Sequence, residues 1–485
     1  MKLSQIIKDC NVKEVIGNVD LDILSIECDS QKVYENSLFI CINGYTVNGH
    51  EFIDVAKKRG AVAFLIDQDV ECINDGYTYI RVADTKKDMA NVSRAFYSNP
   101  TEELSVIGVT GTNGKTSITT FLKEMLNLSE KKTGSIGTIS IDNGEEVVAS
   151  KNTTPNSLEL QKHFRTMIDA DCKYCAMEVS SHSLSLGRVD GVKYSVGVFT
   201  NLTPDHLDFH KNLDDYREAK QMLFLKTTLA NVINIDDEGG SKIAENIKDL
   251  EIPLYTYAIN KEADFMAKDI NITASGLSYK VKTPEYEDDI FVPVPGMFTV
   301  YNTLTVIAVG YVLGIDKEII KESLRNTKGV PGRFEAIQND KGIHVIIDYA
   351  HTPDALENVI TTARGFAKGK IITVFGCGGD RDNTKRPIMG SVADKLSDVA
   401  ILTSDNPRTE DPDNIIKDVL KGMNSDTYKV IADRRSAIYE AINMAEKDDI
   451  VLIAGKGHED YQIIGREKIH FDDKEEAVKA IKERK

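Results

Sequence analysis

Gly108-Val109-Thr110-Gly111-Thr112-Asn113-Gly114-Lys115-Thr116-Ser117 joins the apolar stretch LSVIGV (104–109) to the helical run SITTFLKEML (117–126). Small residues at a strand-to-helix turn let successive backbone N–H groups curl around phosphate oxygens, and the helix N-terminus adds its positive dipole end. Lys115 is placed to reach terminal phosphates, and the Thr116 hydroxyl to hold Mg²⁺. Val109 stands where the strict G-x-x-x-x-G-K-[ST] pattern has its first glycine. A ligand-free glycine turn does not account for Lys-Thr directly after Gly114 at a helix start. Nucleotide phosphate is therefore the expected ligand of Gly111, Thr112, Asn113, Gly114, Lys115, Thr116 and Ser117.

The same strand-then-polar-loop pattern recurs downstream. YCAMEV (174–179) carries Glu178 and runs into Ser180-Ser181-His182, and SVGVFTNL (195–202) runs on to Asp205-His206-Leu207-Asp208. ANVINIDD (230–237), HVIIDYAH (344–351), IITVFGCGG (371–379), VAILTSDNPR (399–408) and IVLIAGKGH (450–458) repeat it. Apolar, β-branched strands alternating with helical stretches predict parallel sheets covered by helices, with ligands beyond the carboxyl ends of the strands. A carboxylate and an imidazole at the edge that carries the phosphate loop suit a divalent ion, since Mg²⁺ takes few protein ligands. Taken singly, His206 is an ordinary loop residue; only the shared edge raises it.

Two breaks punctuate the chain, SNPTEE (98–103) and NTKGVPGRFE (326–335). They predict an α/β protein of three domains: a mixed α/β domain over 1–100, a central P-loop parallel-sheet ATPase domain over 101–329, and a Rossmann-like domain over 330–485. A length of 485 residues agrees with about three domains of ~150 residues each. The 59 Lys and Arg against 76 Asp and Glu leave a net charge of −17, which opposes nucleic acid or anionic lipid as the main partner. A small anion in a local basic pocket is still compatible. The start MKLSQIIKDCNVKEV lacks the apolar core of a signal peptide, and no stretch approaches 18 apolar residues, so a cytoplasmic location is expected. Seven scattered cysteines suit reduced thiols. Cys172 and Cys175 form the one close pair, with no second pair of zinc spacing.

With GTNGKT (111–116), AMEVSSHSL (176–184) and NLTPDHLDFH (201–210) in this order, the chain resembles the Mur ligases, ATP-dependent amide-forming enzymes that build the peptide stem of peptidoglycan. NTTPNS (152–157), YREAKQMLF (216–224), PGRFE (331–335), DYAHTPDAL (348–356), GCGGDRDNTKRP (376–387), DNPRTEDP (405–412) and AGKGHED (454–460) extend the likeness over essentially the whole chain and point to members that add the third residue. The resemblance implies a role in peptidoglycan precursor synthesis, hence in cell wall growth, shape and division. It implies that a substrate carboxylate attacks the γ-phosphate of ATP and that an amine then displaces phosphate from the acyl phosphate.

By resemblance, Lys115, Glu178, His206 and Lys220 are catalytic. Thr116, Glu178, His206 and Lys220 surround Mg²⁺, with Lys220 carried as a carbamate; from the residues alone, Lys220 reads equally as a solvated helix lysine. Asn302, Arg333, Asp348 and His351 match positions near ATP, although outside the family Asn302 reads as a helix cap and Arg333 as an ion-pairing linker residue. Ser30 and the loop Tyr45-Thr46-Val47 match contacts to the uridine nucleotide. Asn152, Thr153, Thr154, Ser180 and Arg188 match the path of the muramoyl peptide. Leu186 stands where some relatives have Gln, so that contact is absent or replaced.

Members that add meso-2,6-diaminopimelate carry D-N-P-R, intact here as Asp405-Asn406-Pro407-Arg408, whereas lysine adders vary its second and last positions. Diaminopimelate has a second carboxylate that an arginine grips in bidentate fashion and that lysine lacks. Arg386, Gly455 and Glu459 match further contacts, Glu459 as partner for an ammonium. The expected substrates are UDP-N-acetylmuramoyl-L-alanyl-D-glutamate, meso-diaminopimelate and ATP, used by a monomer. Rival readings are the lysine-adding version of the ligase, a ligase like folylpolyglutamate synthetase, a P-loop ATPase that forms no amide, and a regulatory descendant. The last would have lost Lys115, Glu178 or Lys220, and the folate enzyme is not expected to carry DNPRTEDP or GKGHED.

Overall fold

The computed structural model describes residues 1–44, 47–70, 75–273 and 275–484. They fall into two compact units, one of 1–110, 130–197 and 219–230, the other of 111–129, 198–218 and 231–485. Among the described residues, no helix is long and apolar enough to cross a membrane.

The first unit opens with a five-stranded sheet in the order Val12–Ile16, Thr78–Val82, Ala61–Ile66, Ser37–Ile40, Ser25–Glu27. Its first pair is antiparallel and the rest are parallel. Alternation along these strands fills both faces. Leu38, Ile40, Ala63, Leu65 and Ile80 meet Leu3, Ile6 and Val92 on one side, while Phe39, Phe64, Ile66 and Tyr79 meet Ile53 and Ala56 on the other. Sheets buried on both faces read as continuous apolar runs, as Ala61–Ile66 and Ser37–Ile40 do, while the edge strand Val12–Ile16 has no buried residue. In the same unit Tyr174–Glu178 lies between Ser105–Thr110 and Thr133–Ile136, parallel to both. The register pairs Glu178 with Val109 and Met177 with Ile136. Ser140–Asp142 and Val147–Ala149 extend that edge antiparallel.

In the second unit Asn231–Asn234 pairs parallel with Leu254–Ala258, and an antiparallel meander of Phe265–Thr273, Gly276–Lys282 and Glu287–Val292 follows. Burial alternates along 277–282, while Phe265–Thr273 is buried over its first three residues and open over the rest, the pattern of a half-exposed sheet rather than of a buried parallel one. The last 150 residues form a six-stranded sheet in the order Glu335–Ile337, His344–Asp348, Ile450–Ala454, Ile371–Phe375, Val399–Leu402, Tyr428–Val430. Only the first pair is antiparallel. Helices cover both faces, through Leu356, Ile360, Met389 and Val419 on one and Ile438, Ile442, Ala477 and Ile481 on the other. The carboxyl ends of the four central strands therefore carry DYAH, AGKGHED, GCGGDRD and SDNPR to one edge, where open parallel sheets bind ligands.

Beneath that edge lies a fully buried ion pair. Arg434 donates from Nε and Nη2 to Asp473 at 2.8 and 2.6 Å, and from Nη2 to the Ala454 carbonyl at 3.0 Å. Removing one partner of such a pair leaves an uncompensated buried charge. Asp473→Asn is expected to cost about 3–5 kcal/mol in equilibrium urea unfolding. A cost under about 1 kcal/mol would show that the pair does not hold the end of Ile450–Ala454.

Candidate active site

The phosphate loop belongs to the second unit, and its shape follows from two glycines. Gly111 has φ +148°, and a Cβ there would meet Thr200 Oγ1; Gly114 has φ +89°, and its Cβ would lie 2.7 Å from Asn302 Oδ1. Other side chains are thus excluded by both backbone and space. The loop is pinned from outside: Asn201 accepts from the Asn113 N–H at 2.8 Å, and Thr200 Oγ1 donates to the Asn113 carbonyl at 2.6 Å. Lys115 begins the helix Lys115–Leu128, and its Nζ donates to the carbonyls of Gly111 and Thr112 at 2.9 and 2.8 Å. The ammonium is thereby held over the loop. Thr116 is buried and its hydroxyl accepts from Arg333 Nη2 at 3.3 Å. Asn302, also buried, faces Gly114 from the helix Met297–Val312. Asn113 Nδ2 donates to Asp354 in the first turn of Pro353–Arg364 at 3.0 Å. Phosphate loop, Arg333 and the start of that helix are thus joined by side chains.

Arg333 lies over the ring of Tyr349, 4.4 Å from its centroid, and Tyr349 packs against His458 at 5.1 Å. Burial, with Arg333 adding to it, pushes His458 down to about 4, so its ring is neutral near pH 7. Asp348 accepts from the Phe334 N–H at 2.7 Å; burial raises it to about 6 against the opposing pull of Arg333. His351 shares a hydrogen bond at 2.9 Å between Nδ1 and the Tyr349 carbonyl, and its own carbonyl accepts from Lys385 at 3.0 Å. Burial first, then Lys385, lowers its affinity for a proton. Asp205 faces the same groups: burial alone would raise its pKa, but His206, His351 and Lys385 together hold it below the usual carboxylate range. His206 adopts a left-handed backbone, φ +57°, at this loop.

At the far end of the edge, Asn406 is gripped on both atoms of its amide. Its Nδ2 donates to Glu459 at 2.9 Å, while its Oδ1 accepts from Lys456 at 3.3 Å and from the Ile463 N–H at 2.9 Å. Lys456, fully buried, also pairs with Glu459 at 3.1 Å. The Asp405 carbonyl accepts from Gln462 at 2.6 Å, and a Cβ on Gly455 would lie 2.6 Å from the Asp405 carboxylate. Arg408 has φ +53°, with its N–H on the Ile463 carbonyl at 3.1 Å and its guanidinium donating to the Gly379 carbonyl at 2.7 Å. Pro407 fills the turn between them and is buried. Arg386 is differently placed: its buried guanidinium holds both oxygens of Glu410 at 2.8 and 2.9 Å and Asp418 at 3.0 Å. Arg381, in the same loop, is exposed.

In the first unit Glu178 is buried, and Thr138 donates to both of its oxygens, by its N–H at 2.8 Å and its hydroxyl at 2.9 Å. Thr153 Oγ1 lies 3.1 Å from the Thr138 hydroxyl, and Thr154 donates to the Glu178 carbonyl at 2.9 Å. Ser180 caps the short helix Ser181–Ser185 by accepting from the Ser183 N–H, and Arg188 follows that helix, half-buried, with Asn152 exposed before Thr153. Lys220 is 1% exposed near the end of the helix Leu213–Gln221. Ser30 is buried, and Val47 is exposed beside Asn48, which caps the turn Gly49–Phe52 by accepting from the His50 N–H. Tyr45 and Thr46 lie outside the described residues. Among the described residues, no three His, Cys, Asp or Glu side chains gather as a metal site, and none of the six described cysteines is in a disulfide.

Sequence reading missed Thr138, Lys456, Tyr349 and Arg381. Three of them stand inside quoted motifs, GKGHED, DYAHTPD and GDRD. Thr138 lies in GSIGTIS, which carries no signal of its own.

Comparison with known families places three models on the chain: the Mur ligase family, catalytic domain at 22–97, the Mur ligase middle domain at 109–310, and the Mur ligase, glutamate ligase domain at 332–457. The chain is 59% identical over 483 residues, 99% of each, to the UDP-N-acetylmuramoyl-L-alanyl-D-glutamate--2,6-diaminopimelate ligase of Clostridioides difficile. It is 49% identical to the one of Alkaliphilus oremlandii over 99% of this chain and 98% of that one. A solved structure of a ligase of the same name superposes with a TM-score of 0.72 at 30% identity, covering 99% of both chains. The MurF ligase of Thermotoga maritima in complex with ADP shares the fold at a TM-score of 0.66 and 16% identity, over 94% of this chain and 96% of that one.

Proposed function

The chain belongs to the Mur ligase family, and from that premise we propose that it joins meso-2,6-diaminopimelate to UDP-N-acetylmuramoyl-L-alanyl-D-glutamate at the expense of ATP. A carboxylate oxygen of the muramoyl dipeptide attacks the γ-phosphorus, and the bond to the β–γ bridging oxygen breaks, releasing ADP. The amine of the incoming amino acid then attacks the acyl phosphate carbonyl and loses a proton, and inorganic phosphate leaves with the former carboxylate oxygen. Peptidoglycan precursor synthesis is the process served. An ATP-consuming step of this kind belongs in the cytoplasm, with the monomer as its working unit.

The chain's own residues meet the main difficulty, which is bringing two anions together. Loop N–H groups of Gly111 to Ser117 and the Lys115 ammonium take the phosphates, Arg333 reaches the Thr116 hydroxyl, and Asn302, Asp348 and His351 flank the nucleotide. Carboxylate and hydroxyl oxygens suit a hard cation, so Thr116, Glu178, His206 and Lys220 as carbamate are the residues that would hold Mg²⁺. Bound there, the ion would supply positive charge to the transferring phosphoryl group. Ser30 and the 45–47 loop take the uridine nucleotide, and Asn152, Thr153, Thr154, Ser180 and Arg188 take the muramoyl peptide.

The observation that carries the choice of amino acid is the clasp of Asn406, Lys456 and Glu459 beside Arg408. Arg408 is the bidentate donor for the far carboxylate of diaminopimelate, and Glu459 receives an ammonium. Arg386, engaged with Glu410 and Asp418, acts by shaping the loop; Arg381 is the exposed cation there that adds to the carboxylate grip. Arg408→Met is expected to lower kcat/KM for diaminopimelate about 10²–10³-fold, as loss of a charged hydrogen-bond partner does, while lysine use changes little. Equal losses for both amino acids, or wild-type preference for lysine, would overturn this assignment.

A further inference from the structure

Glu178 is held by a residue that its own motif does not contain. Thr138, 40 residues earlier, grips both carboxylate oxygens: its N–H reaches Oε1 at 2.8 Å and its hydroxyl reaches Oε2 at 2.9 Å. The approach is close enough that a Cβ on the preceding Gly137 would fall within 2.4 Å of Oε1. The Thr138 oxygen lies in turn 3.1 Å from Thr153 Oγ1, and neighbouring Thr154 donates to the Glu178 carbonyl at 2.9 Å while accepting from the Ser180 N–H at 3.1 Å. Side chain and main chain of Glu178 are therefore both tied to the segment 152–154.

Hydrogen-bond chemistry fixes the direction of this chain. A carboxylate has no proton to give, so the single Thr138 O–H must point at Glu178. Thr138 is then only an acceptor toward Thr153, and the Thr153 O–H must point at Thr138. What Thr153 has left to offer a ligand is its lone pairs. Taking Glu178 as the metal-side carboxylate and Thr153 as a muramoyl-peptide contact, the reading on which this rests, we propose that Thr138 is the positioning residue that sets Glu178. Through it Thr153 meets the muramoyl substrate as an acceptor, facing a donor such as a peptide N–H. Residues that orient a ligating side chain in this way typically alter metal affinity 10–100-fold when removed.

The test uses the full chain, with Mn²⁺ in place of Mg²⁺ and a non-hydrolysable ATP analogue present. Free Mn²⁺ is followed by electron paramagnetic resonance, and the muramoyl-dipeptide KM is measured alongside. Thr138→Val keeps the shape and the N–H but deletes the hydroxyl; it is expected to weaken Mn²⁺ binding about tenfold and to raise the muramoyl KM. Thr138→Ser is expected to bind Mn²⁺ within about twofold of the parent, and Glu178→Gln to lose at least as much affinity as Thr138→Val. If Glu178→Gln weakens Mn²⁺ but a folded Thr138→Val does not, the inference falls while the reading of Glu178 stands. If Glu178→Gln binds Mn²⁺ as the parent does, that reading falls and the inference with it. An equal loss in Thr138→Val and Thr138→Ser would make the effect one of packing and overturn the role. Should Thr138→Val not fold, Thr153→Val decides: it removes the proton directed at Thr138 together with the lone pairs offered to the substrate. It must raise the muramoyl KM and weaken Mn²⁺ measurably, and no change in either refutes the chain.

Discussion

Replacing Lys115 by methionine is expected to lower kcat for amide formation by about 10²–10³-fold while leaving the protein folded. Methionine matches the length of lysine but carries no charge, so the change isolates the ammonium. The loop does not depend on that ammonium alone for its shape, although Lys115 also donates to the Gly111 and Thr112 carbonyls. Asn201 and Thr200 pin Asn113 from outside, the Thr112 N–H donates to the Asn201 carbonyl at 2.9 Å, and the Thr112 hydroxyl accepts from the Thr203 N–H at 3.1 Å. Phosphoryl transfer spreads negative charge over oxygens in front of this loop, and a fixed cation acts most strongly on charge that grows toward the transition state. The loss should therefore fall mainly on kcat, with a smaller change in ADP affinity by calorimetry. A variant that retains kcat, or whose loss tracks a collapse of the melting transition, would remove Lys115 from the chemistry.

Replacing Lys220 by alanine is expected to cost activity on a similar scale, about 10²–10³-fold, but with a distinguishing response: formate or acetate should restore part of it. Sequence left two readings of this residue, a solvated helix lysine beside Arg217 and Glu218, and a carbamate. Its exposure of 1% is incompatible with a solvated face. Burying an ammonium is costly, whereas a carbamate converts the same side chain into an anionic oxygen ligand suited to a hard cation. Lys220→Ala leaves a cavity the size of a small carboxylate, which is why rescue discriminates. Full activity in the variant, or a loss that no carboxylate relieves, would contradict the carbamate.

The phosphate loop was readable from sequence because its chemistry dictates residue types directly: glycines where backbone must approach phosphate, then Lys-Thr at a helix start. The strands that end in Glu178 and Asp348 and those that lead into Asp405 and Gly455 were readable for a similar reason, since a buried parallel strand is a continuous apolar run that stops where the ligand edge begins. What could not be read is who holds these residues. Thr138 reaches Glu178 only because the register sets Ile136 against Met177, a tertiary fact with no local pattern. Lys456 sits inside a quoted motif, yet nothing in AGKGHED says that its ammonium turns inward onto Asn406 and Glu459. Arg386 illustrates the converse. Its place in GCGGDRDNTKRP suggested a ligand contact, while Glu410 and Asp418, 24 and 32 residues later, claim its guanidinium. The meander of 265–292 was likewise silent, because its half-exposed strands lack the apolar runs that flagged the others.

The central claim is that a substrate carboxylate is activated by phosphorylation and then captured by diaminopimelate. Its most direct test follows one oxygen atom. UDP-N-acetylmuramoyl-L-alanyl-D-glutamate labelled with ¹⁸O in its free carboxylates is turned over with ATP, Mg²⁺ and meso-diaminopimelate, and the released phosphate is weighed by mass spectrometry. The account predicts one ¹⁸O in each phosphate, released in equal number to the new amide, with little release when lysine replaces diaminopimelate. Phosphate that carries no label would mean that water, not the carboxylate, attacks ATP, and would contradict it.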